Sequence, residues 1–236
     1  GEDIRFGLAA VKNVGENTAK AICESRAARG NFLNIYGFCS AIEPRFLNRR
    51  VLESLVKAGA MDCFNAPRAR LWMAIEGAMN HGQKMDHQRS VGQHGLFRPS
   101  SGSMSIDEAQ NILPEAEDWS EEQQLDGEHS VLGFYVSGHP LDKYAGRLKE
   151  MGTAELGALE ARRNGEELAI AGIITQTRAM RSKRGARWAI CSLQDRTGGV
   201  EVLVFPEAFQ KFEHLLRPAT PLLVRGRVNV EEVGTR

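Results

Sequence analysis

Five basic side chains fall within ten residues of the stretch TRAMRSKRGAR: Arg178, Arg181, Lys183, Arg184 and Arg187. Cationic groups at this density suit the phosphates of a nucleic-acid strand, which they attract by charge without reading the bases. Trp188 follows directly and Phe205 comes later, and either ring could stack on a base. The alternative is that Trp188 lies in a core and the loop is only solvated surface. The pattern favours single-strand binding by these seven residues.

A second candidate phosphate site lies in VKNVGENTAKAI, residues 11–22. We expect a short helix that ends near Lys12, a turn at Asn13-Val14-Gly15, and a new helix from Asn17. Gly15 lets another molecule approach the backbone, and the unpaired amides that open the new helix favour an anion. This is the layout of a helix-hairpin-helix, with Val14 packed inward. The alternative is a helical corner without a ligand. Asn13 stands where glycine is usual, but asparagine tolerates left-handed backbone angles.

A second helix and turn follow in FLNRRVLESLVKAGAMDCF, residues 46–64. Apolar side chains at helical spacing predict one buried face, which comprises Phe46, Leu47, Val51, Leu52, Leu55 and Val56. Gly59 supplies the turn, and Arg49 and Arg50 fall on the polar face. Since two hairpins can bracket one backbone, we predict that Arg49, Arg50 and Gly59 add to the phosphate contacts of the first hairpin.

The elements that must position these groups are of two kinds. Up to about residue 85 the apolar spacing is helical, with Ala19, Ile22 and Cys23 on one face of the first helix and Trp72 in the core. From residue 166 onward, four β-rich runs follow, and a helix, PEAFQKFEHLL, lies between the third and the fourth. That order is typical of an oligonucleotide-binding (OB) barrel. The fifth strand is missing, so either the chain was cut or the barrel is open.

Composition limits the classes of protein that the chain can belong to. With 42% hydrophobic and 25% charged residues it is ordinary globular material, and no apolar run approaches the roughly 18 residues of a membrane helix. The four cysteines form no CxxC pair, which favours reduced thiols in a cytosolic protein over a zinc site. No metal site and no catalytic residue is predicted.

The charges are unevenly distributed along the chain. Residues 1–90 carry 13 Lys and Arg against 9 Asp and Glu, and residues 166–236 carry 11 against 8. Residues 91–165 carry 6 against 13, so two mildly basic segments flank an acidic one. We therefore expect a helix-hairpin-helix module over 1–90, a flexible segment over 91–105, an acidic connector over 106–165 and an OB domain over 166–236.

Within the flexible segment, VGQHGLF places Leu96 and Phe97 between two loop-like flanks that offer no apolar partner. The alternative is that both side chains fold back onto their own domain. Exposed apolar anchors on a flexible tether are typical of a peptide that docks into a pocket on another protein.

Four motifs in one order extend the interpretation to a family: IRFGLAAVKNVGENTAKAI, LNRRVLESLVKAGAMD, VLGFYVSGHPLDKY and SKRGARWAICSLQDRTGGVEVLVFPEA. Together they resemble the C-terminal part of the α subunits of bacterial DNA polymerase III, the C-family replicative polymerases. The resemblance covers about residues 4–232. It implies duplex DNA binding by the helical module, single-stranded template near the OB domain, and a cytoplasmic, nucleoid-associated protein with other replisome subunits around it.

The resemblance also implies a peptide that binds the ring-shaped sliding clamp, the β subunit. Such peptides begin with Gln and end with Leu-Phe, and Gln93, His94, Gly95, Leu96 and Phe97 fit at the first, fourth and fifth positions. His94 and Gly95 depart from the commonest pattern.

The family's catalytic centre lies elsewhere. Its palm domain, upstream of the matching region, uses three aspartates and two metal ions for DNA-directed nucleotidyl transfer. The longer polymerase would thus use Mg²⁺, whereas no cofactor and no activity are expected for this chain alone. The acidic run 107–128 is predicted to be a solvated connector, and His139 a turn residue.

Three alternatives stay open at this point. The nearest is the error-prone paralogue of the same polymerase, which generally lacks a good internal clamp peptide. A helix-hairpin-helix DNA glycosylase would have to use Lys57 and Asp62, which flank the second hairpin at the wrong distance. A stand-alone single-strand-binding protein fits poorly with the missing fifth strand.

Overall fold

A computed structural model describes residues 6–90, 113–183 and 185–230. The chain divides into two compact units, Gly1–Ser137 and Gly138–Arg236. The first unit is helical and the second is built on a β-sheet. The segment 93–97 and Arg184 lie outside the described residues.

The helical unit contains, in its described part, five α-helices: α1 (Glu16–Arg29), α2 (Ile35–Ala41), α3 (Arg49–Lys57), α4 (Arg68–Ser90) and α5 (Glu121–Leu132). Polar caps fix where several of them begin, because a side-chain oxygen accepts a hydrogen bond from a free amide of the first turn. Asn34 caps α2 and Asn48 caps α3 in this way. Ser120 and Gln123 form a reciprocal capping box at the start of α5.

One hydrophobic core joins these helices. Its fully buried members include Ile35 of α2, Leu52 and Val56 of α3, and Leu71 of α4. Trp72 is half-buried against this core and meets Trp119 edge to face, with ring centroids 5.6 Å apart, as expected for a core residue.

Two predicted details of the helices are wrong. Phe46 and Leu47 do not belong to α3, because the short 3-10 helix Pro44–Phe46 and the cap at Asn48 place them before it. Cys23 is exposed although it shares a helical spacing with the buried Ile22, since the face of α1 that packs inward is narrow and centred on Thr18 and Ile22.

A buried ion pair in the helical unit connects its last helix, α5, to the first residue of α4. The Arg68 guanidinium donates to Glu128 Oε1 at 2.9 Å and to Asp62 Oδ2 at 2.7 Å. The other oxygen of Glu128 accepts from the backbone amides of Val136 and Ser137 at 2.7 and 2.9 Å. Glu128 has no exposed surface, so the expectation that the whole run 107–128 is solvated is wrong at its last residue.

The acidic connector expected over 106–165 is divided between the two units where the structure describes it. Residues 113–137 belong to the helical unit, in which Leu113, Trp119 and Val131 pack against the common core. The remainder, from Gly138, belongs to the sheet unit and includes the short helix α6 (Ala145–Glu150).

The sheet unit contains β1 (Glu167–Arg181), β2 (Arg187–Gln194), β3 (Gly199–Val204), the helix α7 (Pro206–Phe212) and β4 (Pro221–Arg227). All neighbouring strands are antiparallel, in the order β3-β2-β1-β4. The strands form a curled half-barrel with α7 between the third and fourth, which is the predicted OB order. The structure does not describe residues 231–236. In the part that it describes, the sheet consists of these four strands.

A β-bulge interrupts β1 at Thr175. Ile174 pairs with Leu193 of β2, but Gln176 pairs with the very next residue, Ser192, so Thr175 is an extra residue. Before the bulge, the inward side chains of β1 include Ile170 and Ile174; after it, Thr177 points inward and bonds the Leu216 carbonyl at 3.1 Å. The bulge therefore shifts the inward positions of β1 by one residue.

Close packing of the sheet explains why residue 172 is a glycine. A Cβ at Gly172 would lie 2.5 Å from Leu193 Cγ and 2.9 Å from the Gln194 carbonyl oxygen, both on the paired strand. The position tolerates only hydrogen, because the inner face of β1 is in contact with β2 there.

The DRTGG turn between β2 and β3 is held by one carboxylate. Asp195 accepts from the amides of Thr197 and Gly198 on one oxygen and from the Leu156 amide on the other, at 2.7 to 2.9 Å. Burial favours protonation of Asp195, but these hydrogen bonds outweigh it, so the pKa lies below its ordinary value. The turn is thus tied to the 3-10 helix Leu156–Ala161 that underlies the sheet.

Candidate nucleic-acid interface

The first hairpin has the geometry that its sequence predicts. Asn13 adopts the left-handed backbone conformation, with φ of 69°, and Val14 is buried. Gly15 is the N-cap of α1, at φ −75° and ψ 161°. The helix that precedes the turn is shorter than predicted, since it is the 3-10 segment Leu8–Ala10, and α1 begins one residue early, at Glu16.

The start of α1 is open to another molecule. Gly15, Glu16 and Asn17 are exposed, and a Cβ placed on Gly15 would meet no heavy atom within 4 Å. No side chain caps this helix, so its first amides have no capping partner. Exposed amides and the positive end of the helix together suit a phosphate oxygen, and the exposed Lys12 adds positive charge on the other side of the turn.

Three hydrogen bonds hold the hairpin in place. Asn13 Nδ2 donates to Ser54 Oγ of α3 at 3.0 Å, and Thr18 Oγ1 donates to the Phe46 carbonyl at 3.1 Å. The Lys12 amide donates to the Val131 carbonyl of α5 at 2.9 Å. The Asn13 side chain is thus engaged within the protein, and the roles of Thr18 and Ser54 become visible only once the helices are packed.

The second predicted hairpin is less open. Gly59 does turn the chain in the left-handed region, with φ of 74°, but the Arg68 guanidinium would lie 2.3 Å from a Cβ built on it. Arg49 is paired with Glu53 at 2.8 Å, which raises the pKa of its guanidinium, whereas Arg50 is exposed with no ion pair among the described residues. Of this group, Arg50 is the residue most accessible to a phosphate.

In the sheet unit, cross-strand pairing gathers one set of side chains on what we call the outer face. Directly opposed residues in an antiparallel sheet point to the same side. Met180 is opposite Trp188, and Arg178, Ile190 and Leu203 form the next row across three strands. Met180 and Leu203 are exposed, and Trp188 and Ile190 are half-buried. Phe205 follows at the end of β3 and is 66% exposed.

The five basic residues predicted around this face differ in their partners. Arg178 is paired with Glu201 at 2.7 Å. Arg187 donates to both carboxylate oxygens of Glu213, and its guanidinium lies 5.1 Å from the Phe209 ring centroid. Arg181 and Lys183 are exposed, with no ion pair to any residue of the described part.

The structure thus gathers Arg178, Trp188 and the apolar residues around them on one surface, while Arg181 is the last residue of β1 and Lys183 follows in the loop. Sequence reasoning missed Glu201, Leu203 and Met180. The alternation in GVEVLV was the available signal for Glu201 and Leu203, because it places them on the other face of β3 from the inward Val200, Val202 and Val204.

The residues considered for chemistry are engaged in structural roles. Lys57 lies over the Trp72 ring, 5.2 Å from its centroid, and Asp62 is paired with Arg68, an arrangement that does not favour the glycosylase alternative. His139 is buried, and its Nδ1 accepts the Leu141 amide at 3.2 Å within a turn. Burial lowers the pKa of His139, which favours the neutral ring that this bond needs.

The described ranges contain neither a candidate metal site nor a helix suited to crossing a membrane. Across 6–90, 113–183 and 185–230, no three His, Cys, Asp or Glu side chains are grouped so that they could hold a metal ion. Among the helices of those ranges, none has the length and apolar character that crossing a membrane requires.

Comparison with known proteins gives matches for each unit. Residues 1–71 match the model of a helix-hairpin-helix motif, and residues 168–235 match the model of an OB-fold nucleic acid binding domain. The predicted fold, a helical hairpin module followed by an OB domain, is therefore confirmed.

Curated relatives match almost the entire chain. DNA polymerase III subunit alpha of Saccharopolyspora erythraea is 35% identical over 238 residues, that of Escherichia coli K12 is 32% identical over 234, and that of Caulobacter vibrioides is 31% identical over 232. Each alignment covers 98% of this chain but only 20% of the relative, within its C-terminal region. The chain therefore belongs to the family of DNA polymerase III alpha subunits, of whose length it spans about one fifth.

Proposed function

We propose that this chain serves DNA replication as a DNA-binding part of a polymerase subunit. The observation that carries the proposal is the outer face of the sheet, where exposed apolar and aromatic side chains lie around Arg178 at the end of β1 that leads into the basic loop. Stacking platforms beside a basic groove bind single strands without sequence preference. The sheet unit accordingly contacts single-stranded template, the first hairpin contacts duplex product, and Gln93–Phe97 binds a sliding clamp.

The single-strand assignment gives a prediction for the basic loop. Changing Arg181, Lys183 and Arg184 together to alanine should weaken binding to an oligothymidine. It should also flatten the plot of log K against log salt by up to about 0.7 for each phosphate contact that is lost. Fluorescence anisotropy at several salt concentrations measures both effects.

A matched control uses three exposed arginines from other segments of the same unit, Arg147, Arg163 and Arg217. Their alanine triple removes the same net charge. If the two triples reduce affinity and slope equally, the loop acts only through overall charge and the single-strand assignment fails.

The duplex assignment depends on the open backbone at Gly15. Gly15→Ala is compatible with the observed φ and ψ and with the empty space around the residue, so it should cost at most about 1 kcal/mol of stability. Its methyl group would, however, obstruct a phosphate at the first amides of α1. We expect duplex affinity to fall about tenfold, the equivalent of one hydrogen bond to a charged group at about 1.5 kcal/mol.

Gly7→Ala is the matched control, because Gly7 is also an exposed N-cap glycine with open space around it and similar backbone angles. Binding of labelled duplex should be unchanged in this variant. A Gly15→Ala protein that binds duplex as well as the parent would remove the hairpin from the interface.

A further inference from the structure

One ion pair occupies the surface on which the proposed single strand would lie. Arg178 on β1 and Glu201 on β3 are separated by β2, so their contact at 2.7 Å crosses the outer face above Ile190 and Ser192. Both side chains are more than half exposed, at 54% and 60%. The Arg187–Glu213 pair does not share this surface, because Arg187 alternates with Trp188 along β2 and its guanidinium lies over the buried Phe209 ring on the other face.

A carboxylate and a phosphate compete for the same guanidinium, because both accept its paired N–H donors in the same plane. An exposed ion pair contributes little to stability, so a phosphate can displace the carboxylate. The displaced Glu201 would then remain beside the bound strand, where its negative charge opposes the phosphates. Of the five basic residues, Arg178 thus contributes less to binding than its charge suggests.

Building on the proposed single-strand function, we propose that Glu201 is an internal competitor for the phosphate at Arg178. The competition lowers the affinity of the outer face for a single strand. Weak binding suits a surface along which a template has to move. When a phosphate leaves the Arg178 guanidinium, the nearby Glu201 carboxylate can take its place.

The test is Glu201→Gln, which keeps the size of the side chain and a hydrogen-bond acceptor but removes the charge. In the complete chain, anisotropy with a labelled oligothymidine should show about two- to fivefold tighter binding, the range expected for the loss of one exposed ion pair. The salt slope should become steeper by up to about 0.7, because one more cation is free to replace a condensed counterion.

The control is Glu167→Gln. Glu167 pairs with Arg227 across β1 and β4 at 2.9 Å, is as exposed as Glu201, and lies at the opposite end of the sheet. This variant changes the net charge equally and should leave affinity and slope unchanged.

The outcomes are distinct. If the parent binds the oligonucleotide but Glu201→Gln binds no more tightly than Glu167→Gln, the Arg178–Glu201 pair is merely structural and the competition is refuted. If the parent does not bind single strands at all, the proposed function fails and the competition fails with it. Equal melting temperatures of the variants establish that the comparison is made between folded proteins.

Discussion

Replacing Glu128 with alanine should lower the free energy of unfolding of the helical unit by about 3–5 kcal/mol, the usual cost of breaking a buried ion pair. The substitution leaves the Arg68 guanidinium, which is only 9% exposed, with Asp62 as its one remaining carboxylate. It also deprives the amides of Val136 and Ser137 of their acceptor. Chemical denaturation followed by helical circular dichroism measures the change.

The matched control is an ion pair on the surface of the same unit. Glu24 pairs with Lys20 one turn away on α1, and both side chains are well exposed. Glu24→Ala should cost only about 0.3–0.5 kcal/mol. If Glu128→Ala were no more destabilising than Glu24→Ala, the buried network would not fasten α5 to the other helices.

The same carboxylate gives the stability a dependence on pH. Burial would raise the pKa of Glu128, but the amides of Ser137 and Val136 and the Arg68 guanidinium outweigh it, so the pKa lies below its ordinary value. A depressed pKa in the folded protein means that the contribution is complete above the unfolded carboxyl pKa of about 4.3 and is lost as the pH falls through the folded value. The stability difference between parent and Glu128→Ala should therefore shrink only in acid.

The double substitution Leu96→Ala and Phe97→Ala should abolish measurable binding to a sliding clamp. Burying each of these side chains contributes about 1.5–3 kcal/mol, so losing both reduces affinity by at least about a hundredfold. The entropy lost when a peptide is ordered on its partner opposes binding, so we expect the parent to bind only in the micromolar range. Calorimetry with the cognate clamp measures both proteins, and salt should affect this binding little because the anchors are apolar.

Two further variants distinguish binding through a docking peptide from nonspecific hydrophobic association. Gln93→Ala should weaken binding less than the double substitution, since its polar contacts lie at the rim of the pocket. Leu33→Ala removes a highly exposed leucine elsewhere and should have no effect. DNA binding should be retained in all of them. Equal clamp affinity of the parent and the Leu96/Phe97 variant would show that the anchor lies elsewhere in the chain.

Local patterns were sufficient to predict the elements that carry the candidate sites. The β-rich composition of ELAIAGII and GVEVLV identified strands, and the turn at Asn13 and Gly15 identified the hairpin, because both depend on neighbours in sequence. The left-handed Asn13 and the buried Val14 follow from the same local chemistry.

Long-range electrostatics could not be predicted in this way. Glu128 looks like one more acid of a solvated run, and its burial depends on Arg68, sixty residues earlier in the chain. Glu201 is likewise separated from Arg178 by an intervening strand, and only the register of β1, β2 and β3 brings the two charges together. Residue type alone therefore overestimates how many cations of the basic loop are free.

The bulge at Thr175 makes β1 tolerant of a change in length at one point. Because Ile174 and Gln176 pair with neighbouring residues of β2, losing Thr175 would leave a regular ladder in which Thr177 still points inward and Arg178 and Met180 still point outward. A single-residue deletion between Thr177 and Arg181 would instead turn the residues that follow it to the other face. During evolution, a lost codon at the bulge therefore preserves the site, whereas a lost codon a few positions later exchanges lining for surface.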